Sequence, residues 1–518
     1  MLKPKGKVVR LVKKAALIIM FITLMSKILG LGRELALSYF YGATNISDAY
    51  FVSITIPMFI FTFITSGLNA GYIPTYTRIL QDRGTAEANR FTSNLINILL
   101  ALSAVILLFV FLFTDEIVRL FTSGFKGEVF SLTVKMTNIS ILSIFFAGIV
   151  TIFSGYLQIK KLFAASASIA FPLNFFIIVS IILSSMVKNT SLLAVGYVFA
   201  TASQLLFLIP FLKKNDFKYE KTFNIKDEHI INLGYLMLPL IIGISVDQIN
   251  VLVDRTMASR IAVGGISALS YADRLNGSIR GLFAVPFVTA LYPMISKMAA
   301  EKNFLGFKKM LAEAITCINL LSIPSAICAM IFAVPITALL FGRGAFDQQA
   351  IRTTSQALYF YSIGMIGFGL RPVLIRAFHS MQDTKTPMIN GAMSTALNIV
   401  LNIILSRYMG ISGLALATSI SALLTTVLLF LNLRKKIGSF GMKQILSVFL
   451  QISFASVIMG TISKISYNHM ISILTPNLTV MIALAIAFVS YVSIIYFMKI
   501  EEVEVVIRVV KDKLKLEN

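Results

Sequence analysis

Five charged residues stand where a lipid-facing chain tolerates them least. Arg33, Asp254, Arg255, Asp273 and Arg274 lie in or beside apolar stretches long enough to cross a bilayer. A charge at that depth costs at least roughly 2.5–3.5 kcal/mol, so it ordinarily marks a substrate or ion path. Elsewhere the charges are confined to connectors. The first, seventh and eighth apolar segments carry them inward, with arginine prominent. The pattern predicts a lipid-sheltered cavity that holds an anion.

Arginine is the informative residue type. A pyrophosphate spreads its charge over several oxygens, and a guanidinium keeps its proton while offering forked donors that match two of them. Lysine supplies only a mobile point charge. A cationic cargo calls instead for carboxylates without competing arginines. In the first segment, SKILGLGRELALSYFYGATNISDAYF, Lys27 precedes Arg33 on loosely the same side. Arg33 and Glu34 are neighbours projecting roughly 100° apart, so they need not pair with each other. The competing reading is that Lys27 and Arg33 snorkel or form structural ion pairs. Gly30 and Gly32 lack the preceding strand and spacing of a dinucleotide loop, and read as packing or bending positions.

The seventh segment carries Asp247, Asp254 and Arg255, with the two aspartates two turns apart on one face. The eighth, ALSYADRLNGSIRGLFAVP, carries Asp273, Arg274 and Arg280. Arg255 and Arg274 are expected to contact substrate, against inter-helix pairing as the alternative. On the eleventh segment Asn398 and Asn402 share a face. With Asp247 and Thr418 they form a candidate oxygen set for a coupling monovalent cation, Na+ or H+; the alternative is interhelical hydrogen bonding.

Positioning these residues takes many helices. Span-length apolar segments recur near 15–41, 49–73, 92–113, 131–157, 163–186, 191–212, 231–260, 267–296, 312–340, 354–379, 387–407, 411–433, 445–466 and 476–498. The chain is therefore expected to be an all-α polytopic membrane protein of about fourteen transmembrane helices. Segment 131–157 starts softly, and 312–340 holds Pro324 and Pro335, so both are candidates for bending. Composition agrees: 518 residues, 57% hydrophobic, 13% charged, with a mean hydropathy of +0.85. A soluble protein of this size has too little interior for so much apolar surface.

The net charge of +23 sits mostly in connectors. There it sets topology and meets anionic headgroups; no soluble domain exists to carry nucleic-acid binding. The bias of Lys and Arg places both termini in the cytoplasm, with Lys160-Lys161, Lys213-Lys214 and Arg434-Lys435-Lys436 inside. The basic start, MLKPKGKVVRLVKK, runs into a full-length span without a cleavage site, so the first helix is expected to be retained. The tail, KIEEVEVVIRVVKDKLKLEN, reads equally as an interfacial helix or a solvated helical end.

Cys317 and Cys328 share one apolar segment without CxxC spacing, and His229, His379 and His469 show no metal spacing. Nothing resembles a P-loop, HExxH or GxSxG. No catalytic role and no cofactor are expected; energy would come from ion gradients, membrane potential or product consumption.

An internal repeat is visible. Arg33 and Gly42 in RELALSYFYG parallel Arg255 and Gly264 in RTMASRIAVG. Pro74 parallels Pro293, and Gln158, Lys161 and Asn174 parallel Gln382, Lys385 and Asn398. Offsets of about 220 in order predict two parallel six-helix lobes, with an alternating-access cavity between them. The expected units are 1–215 (N-lobe), 216–436 (C-lobe) and 437–518, the last two helices with a cytoplasmic tail.

At these residues the chain resembles the MurJ (MviN) lipid II flippase family of the MOP exporter superfamily. The family's first-helix pattern appears as Ser26-Lys27, Gly30 and Arg33-Glu34, with lysine and glutamate where arginine and aspartate are usual. Asp48-Ala49-Tyr50-Phe51, Tyr271-Ala272-Asp273-Arg274-Leu275 followed by Gly281 to Pro293, and Gln382-Asp383-Thr384-Lys385-Thr386-Pro387 match further family elements.

The resemblance covers essentially the whole chain. It implies a non-enzymatic carrier in the bacterial inner membrane that moves undecaprenyl-pyrophosphate-linked peptidoglycan precursor to the outer leaflet. Cell-wall synthesis proteins are the implied partners. Arg33, Arg255 and Arg274, with Lys27, would bind the pyrophosphate, Asp48 and Asp273 would orient or gate them, and Glu34 would belong to the same substrate-binding set. One departure is the uncharged second segment, with PMFIFTFITSG where family members place basic residues and a glutamate. It keeps open a relative carrying an exopolysaccharide or O-antigen unit. A MATE-type cation antiporter and a membrane-embedded glycosyltransferase are the more distant alternatives.

Overall fold

The computed structural model describes residues 5–498, with side chains described outside 5–17, 19, 239–240, 242 and 279–294. The tail 499–518 and the side chains of Arg280 and of the whole Gly281–Pro293 element lie outside the described residues. Among those described, the regular structure is entirely helical.

The chain divides into two compact units, Met1–Ser267 with Gly344–Phe346, and Ala268–Arg343 with Asp347–Asn518. The first holds α1 (Lys5–Tyr41), α2 (Asn45–Leu112), α3 (Thr114–Phe121), α4 (Gly127–Ser140), α5 (Ile144–Ile159), α6 (Phe163–Ala167), α7 (Ala170–Val187), α8 (Ser191–Lys214) and α9 (Glu228–Ile261). The second holds most of α10 (Gly265–Ala300), then α11 (Phe304–Ile331), α12 (Ala333–Phe341), α13 (Gln348–Ile363), α14 (Met365–Ser380), α15 (Lys385–Met409), α16 (Ile411–Ile437), α17 (Met442–Met470) and α18 (Pro476–Phe497).

Each expected apolar segment coincides with helix. Among the described residues nine helices are long and apolar enough to cross a membrane, or eleven when each bent pair counts as one span. The 68-residue α2 carries the second and third expected segments by itself. Its Gly84, at φ 83° and ψ −178°, breaks the helix between them. The expected bends are also present: a 3-10 turn at Ile141–Ser143 within 131–157, and a break at Phe332 within 312–340. Two bends were not foreseen, one of 56° within α9 and one of 45° between α13 and α14.

Side-chain size sets the packing of the first unit. The two arms of α2 face each other through Tyr72 and Thr92, whose hydroxyls lie 3.0 Å apart. Buried Tyr72, Tyr76, Phe91, Tyr156 and Leu208 form the core there. The seventh segment, α9, lies against α2 because Gly67 and Gly71 leave room: a Cβ on either would stand 2.4 Å from Met237 or 2.3 Å from Leu233. The repeat boundary near 215 therefore differs from the packing boundary at Ser267. In the second unit Phe307, Leu311, Leu374, Phe378, Leu429 and Leu433 form the core. The last two helices join it where Ile323 of α11 meets Ile452 and Ile495. The Tyr491 hydroxyl also donates to the Leu320 carbonyl at 2.8 Å.

Candidate functional site

The repeat's paired glycines share one conformation. Gly42 (φ 61°) follows α1 and Gly264 (φ 74°) follows α9. Both sit in the left-handed region open to glycine. Gly264 also approaches the backbone of Ala43 so closely that a Cβ would stand 2.0 Å from its carbonyl oxygen. These turns bring the start of α2 to the start of α10.

Asp48, in the first turn of α2, is fully buried. Its Oδ1 accepts from the Ser267 amide at 2.7 Å and from the Ser267 hydroxyl. That hydroxyl also lies 3.0 Å from Ser47 Oγ. Arg255, half-buried on α9, donates from Nη1 to the Ile266 carbonyl at 3.2 Å. The Ile266 carbonyl and the Ser267 amide belong to one peptide group. A guanidinium thus engages its oxygen while a carboxylate engages its N–H. Asp48 and Arg255 are gathered at a single peptide bond by opposite charges.

Arg33 is half-buried on α1 and its Nη2 lies 2.6 Å from Glu34 Oε1, with Glu34 only 2% exposed. The sequence left pairing of these neighbours open, and here they pair. The long guanidinium stem reaches across the angle between their Cβ directions, and a buried carboxylate needs a cationic partner. Lys27, earlier on α1, is also half-buried, as is Asp254, whereas Asp247 is exposed on α9.

Asp273 and Arg274 belong to the second unit. Tyr271, Ala272, Leu275 and Asn276 of α10 are buried, while Asp273 and Arg274 between them are exposed. The helical period separates a packed face from a charged one. Asn398 and Asn402 are buried on α15 in a polar chain: Asn402 Nδ2 donates to Asn398 Oδ1 at 2.9 Å, and Asn398 Nδ2 lies 3.4 Å from Thr418 Oγ1. The first bond lies within α15, and the second is the interhelical bonding to α16 weighed against ion ligation. Asp247 lies in the first unit, on α9.

Comparison with known proteins assigns the chain. A family model described as Lipid II flippase MurJ matches residues 37–498. The chain belongs to the MurJ family. A probable lipid II flippase MurJ of Thermotoga maritima is 30% identical over 493 residues, covering 94% of this chain and 96% of that protein. One from Vibrio cholerae is 30% identical over 435 residues, covering 81% and 82%. A solved lipid II flippase MurJ in an inward closed conformation superposes with a TM-score of 0.81 at 26% identity, covering 93% of this chain and 98% of that one. An inward-facing MATE-family multidrug transporter of the MOP superfamily gives 0.68 at 16% identity, covering 82% and 99%, and so shares the fold alone. The MurJ-family chain is accordingly a multi-pass membrane protein of a transporter family.

Sequence reasoning missed Ser47, Ser267 and the Ile266–Ser267 peptide. A faint signal existed: Gly264-Gly265 stands just before Ile266-Ser267, so the next helix starts where an acceptor is wanted.

Proposed function

We propose that this chain translocates lipid II, the undecaprenyl-pyrophosphate-linked peptidoglycan precursor, from the inner to the outer leaflet of the bacterial cytoplasmic membrane by alternating access. The observation that carries the reading is the match of the lipid II flippase family over 37–498. The chemistry of the charged helices supports it. Arg33, Arg255 and Arg274 supply guanidinium groups for the pyrophosphate, and Lys27 adds a mobile charge. Glu34 holds Arg33, Asp48 shares a peptide group with Arg255, and Asp273 flanks Arg274. Both termini lie in the cytoplasm, as the distribution of Lys and Arg directs. A monovalent cation gradient or the membrane potential drives transport, and Asp247, Asn398, Asn402 and Thr418 are the candidate coupling groups.

Genetic complementation tests the cargo. Expression in a strain depleted of its lipid II flippase restores growth and normal shape. Failure there, together with rescue of a strain lacking a capsule-unit or O-antigen flippase, would assign another polyprenyl-linked glycan.

A further inference from the structure

Between α8 and α9 the chain runs through Asn215–Asp227 without a helix. A connector of this kind is ordinarily slack, but this one is clamped. The Tyr156 hydroxyl donates to the Asn215 carbonyl at 2.7 Å, and Asn89 Nδ2 to the Asp216 carbonyl at 3.0 Å. Asn97 Nδ2 donates to the Thr222 carbonyl at 2.8 Å. Asn94 donates to the Asn224 carbonyl at 2.9 Å and accepts from its amide at 2.7 Å. Ser93 Oγ accepts from the Glu220 amide at 3.1 Å. Phe217 anchors the strap inward, its ring 5.2 Å from that of Phe153 and 5.4 Å from that of Tyr156.

The side chains left facing outward are mainly lysines and apolar groups, with Asp216, Glu220 and Asn224 also exposed, so that lysines outnumber carboxylates five to two. Lys213, Lys214, Lys218, Lys221 and Lys226 are exposed. Among them Tyr219, Phe223 and Ile225 are 53%, 58% and 60% exposed. Water alone gives no reason to fix apolar groups outward on an immobilised backbone. A membrane–water interface does: apolar side chains enter the acyl boundary while ammonium groups meet headgroup phosphates. The neighbouring α5–α6 turn adds Lys160, 5.5 Å over the Tyr156 ring, and Lys161.

We propose that the strap 215–227, with the Lys213-Lys214 end of α8, is a docking surface for anionic phospholipid headgroups of the leaflet it faces. Its backbone is ordered beforehand, so contact with lipid costs little chain entropy. The inference requires the chain to span a membrane and does not depend on which glycan lipid it carries.

The chain contains no tryptophan, so Phe223→Trp introduces a single reporter. The full-length variant is reconstituted in phosphatidylcholine bilayers containing phosphatidylglycerol, with either lipid brominated high on its acyl chain. Blue-shifted emission is expected, with quenching by brominated phosphatidylglycerol about twice that by brominated phosphatidylcholine at equal mole fraction. In the K218Q/K221Q/K226Q background the two should become equal. Emission typical of water, or equal quenching without the lysine changes, overturns the proposal. Ile225→Trp provides an independent reporter should Phe223→Trp fold poorly.

Discussion

Arg33 is positioned by a side chain with little freedom of its own. Glu34 is 2% exposed and 2.6 Å from the guanidinium, so losing its charge releases Arg33 and leaves a half-buried cation without this counterion. Glu34→Gln should lower lipid II translocation about tenfold, a difference of about 1.4 kcal/mol. Glu34→Asp keeps the charge and should retain more activity in the same leaflet-accessibility assay. Asp48→Ala removes the acceptor of the Ser267 amide and hydroxyl. Thermal unfolding in detergent should show a loss of about 1–3 kcal/mol, the cost of a buried amide left unpaired while the hydroxyl keeps Ser47.

Asp383 gives a pH-dependent case outside the spanning segments. Burial alone would raise its carboxyl, but the Lys436 ammonium at 2.6 Å and the Thr386 amide and hydroxyl outweigh that and hold it at about 2. A carboxyl depressed in the folded state stabilises above its unfolded value of about 3.9, and that stability is lost as pH falls toward the folded value. Asp383→Asn should therefore cost about 1 kcal/mol near neutrality, a modest figure because Lys436 is solvated. The gap to wild type should close between about pH 4 and pH 2. At this scale the charged residues were legible because a bilayer makes each one conspicuous. Their partners were not, since the Ile266–Ser267 peptide carries no side-chain signature.

Elements were legible where apolarity marks them and illegible where a polar connector keeps folding as helix. The polar stretch around Glu87 and Arg90 separates the expected spans 49–73 and 92–113, yet its Ala, Glu and Arg residues favour helix, so only Gly84 breaks α2. The two positive-φ glycines of different surroundings separate strain from collision. Gly84→Ala meets nothing within 4 Å and should cost about 1–3 kcal/mol of backbone strain. Gly264→Ala adds a Cβ 2.0 Å from the Ala43 carbonyl oxygen and should cost more, lowering both the unfolding temperature and the yield of folded protein. Observing the same loss for both would show that the close approach at Gly264 relaxes freely.

For the molecule as a whole, sequence duplication revealed the relation between Arg33–Gly42 and Arg255–Gly264, which recurs as two helix ends turned by left-handed glycines. It did not reveal that α9 packs with the first unit, because that depends on notches at Gly67 and Gly71 within an otherwise uniform apolar run. The central claim is that guanidinium groups from separate helices bind one pyrophosphate in transit. Lipid II accessibility at the outer leaflet, measured in cells expressing R33A/R255A/R274A as the sole flippase, tests it most directly. The account predicts accessibility reduced to that of flippase-depleted cells with the variant folded and in the membrane; wild-type accessibility in that triple variant would contradict it.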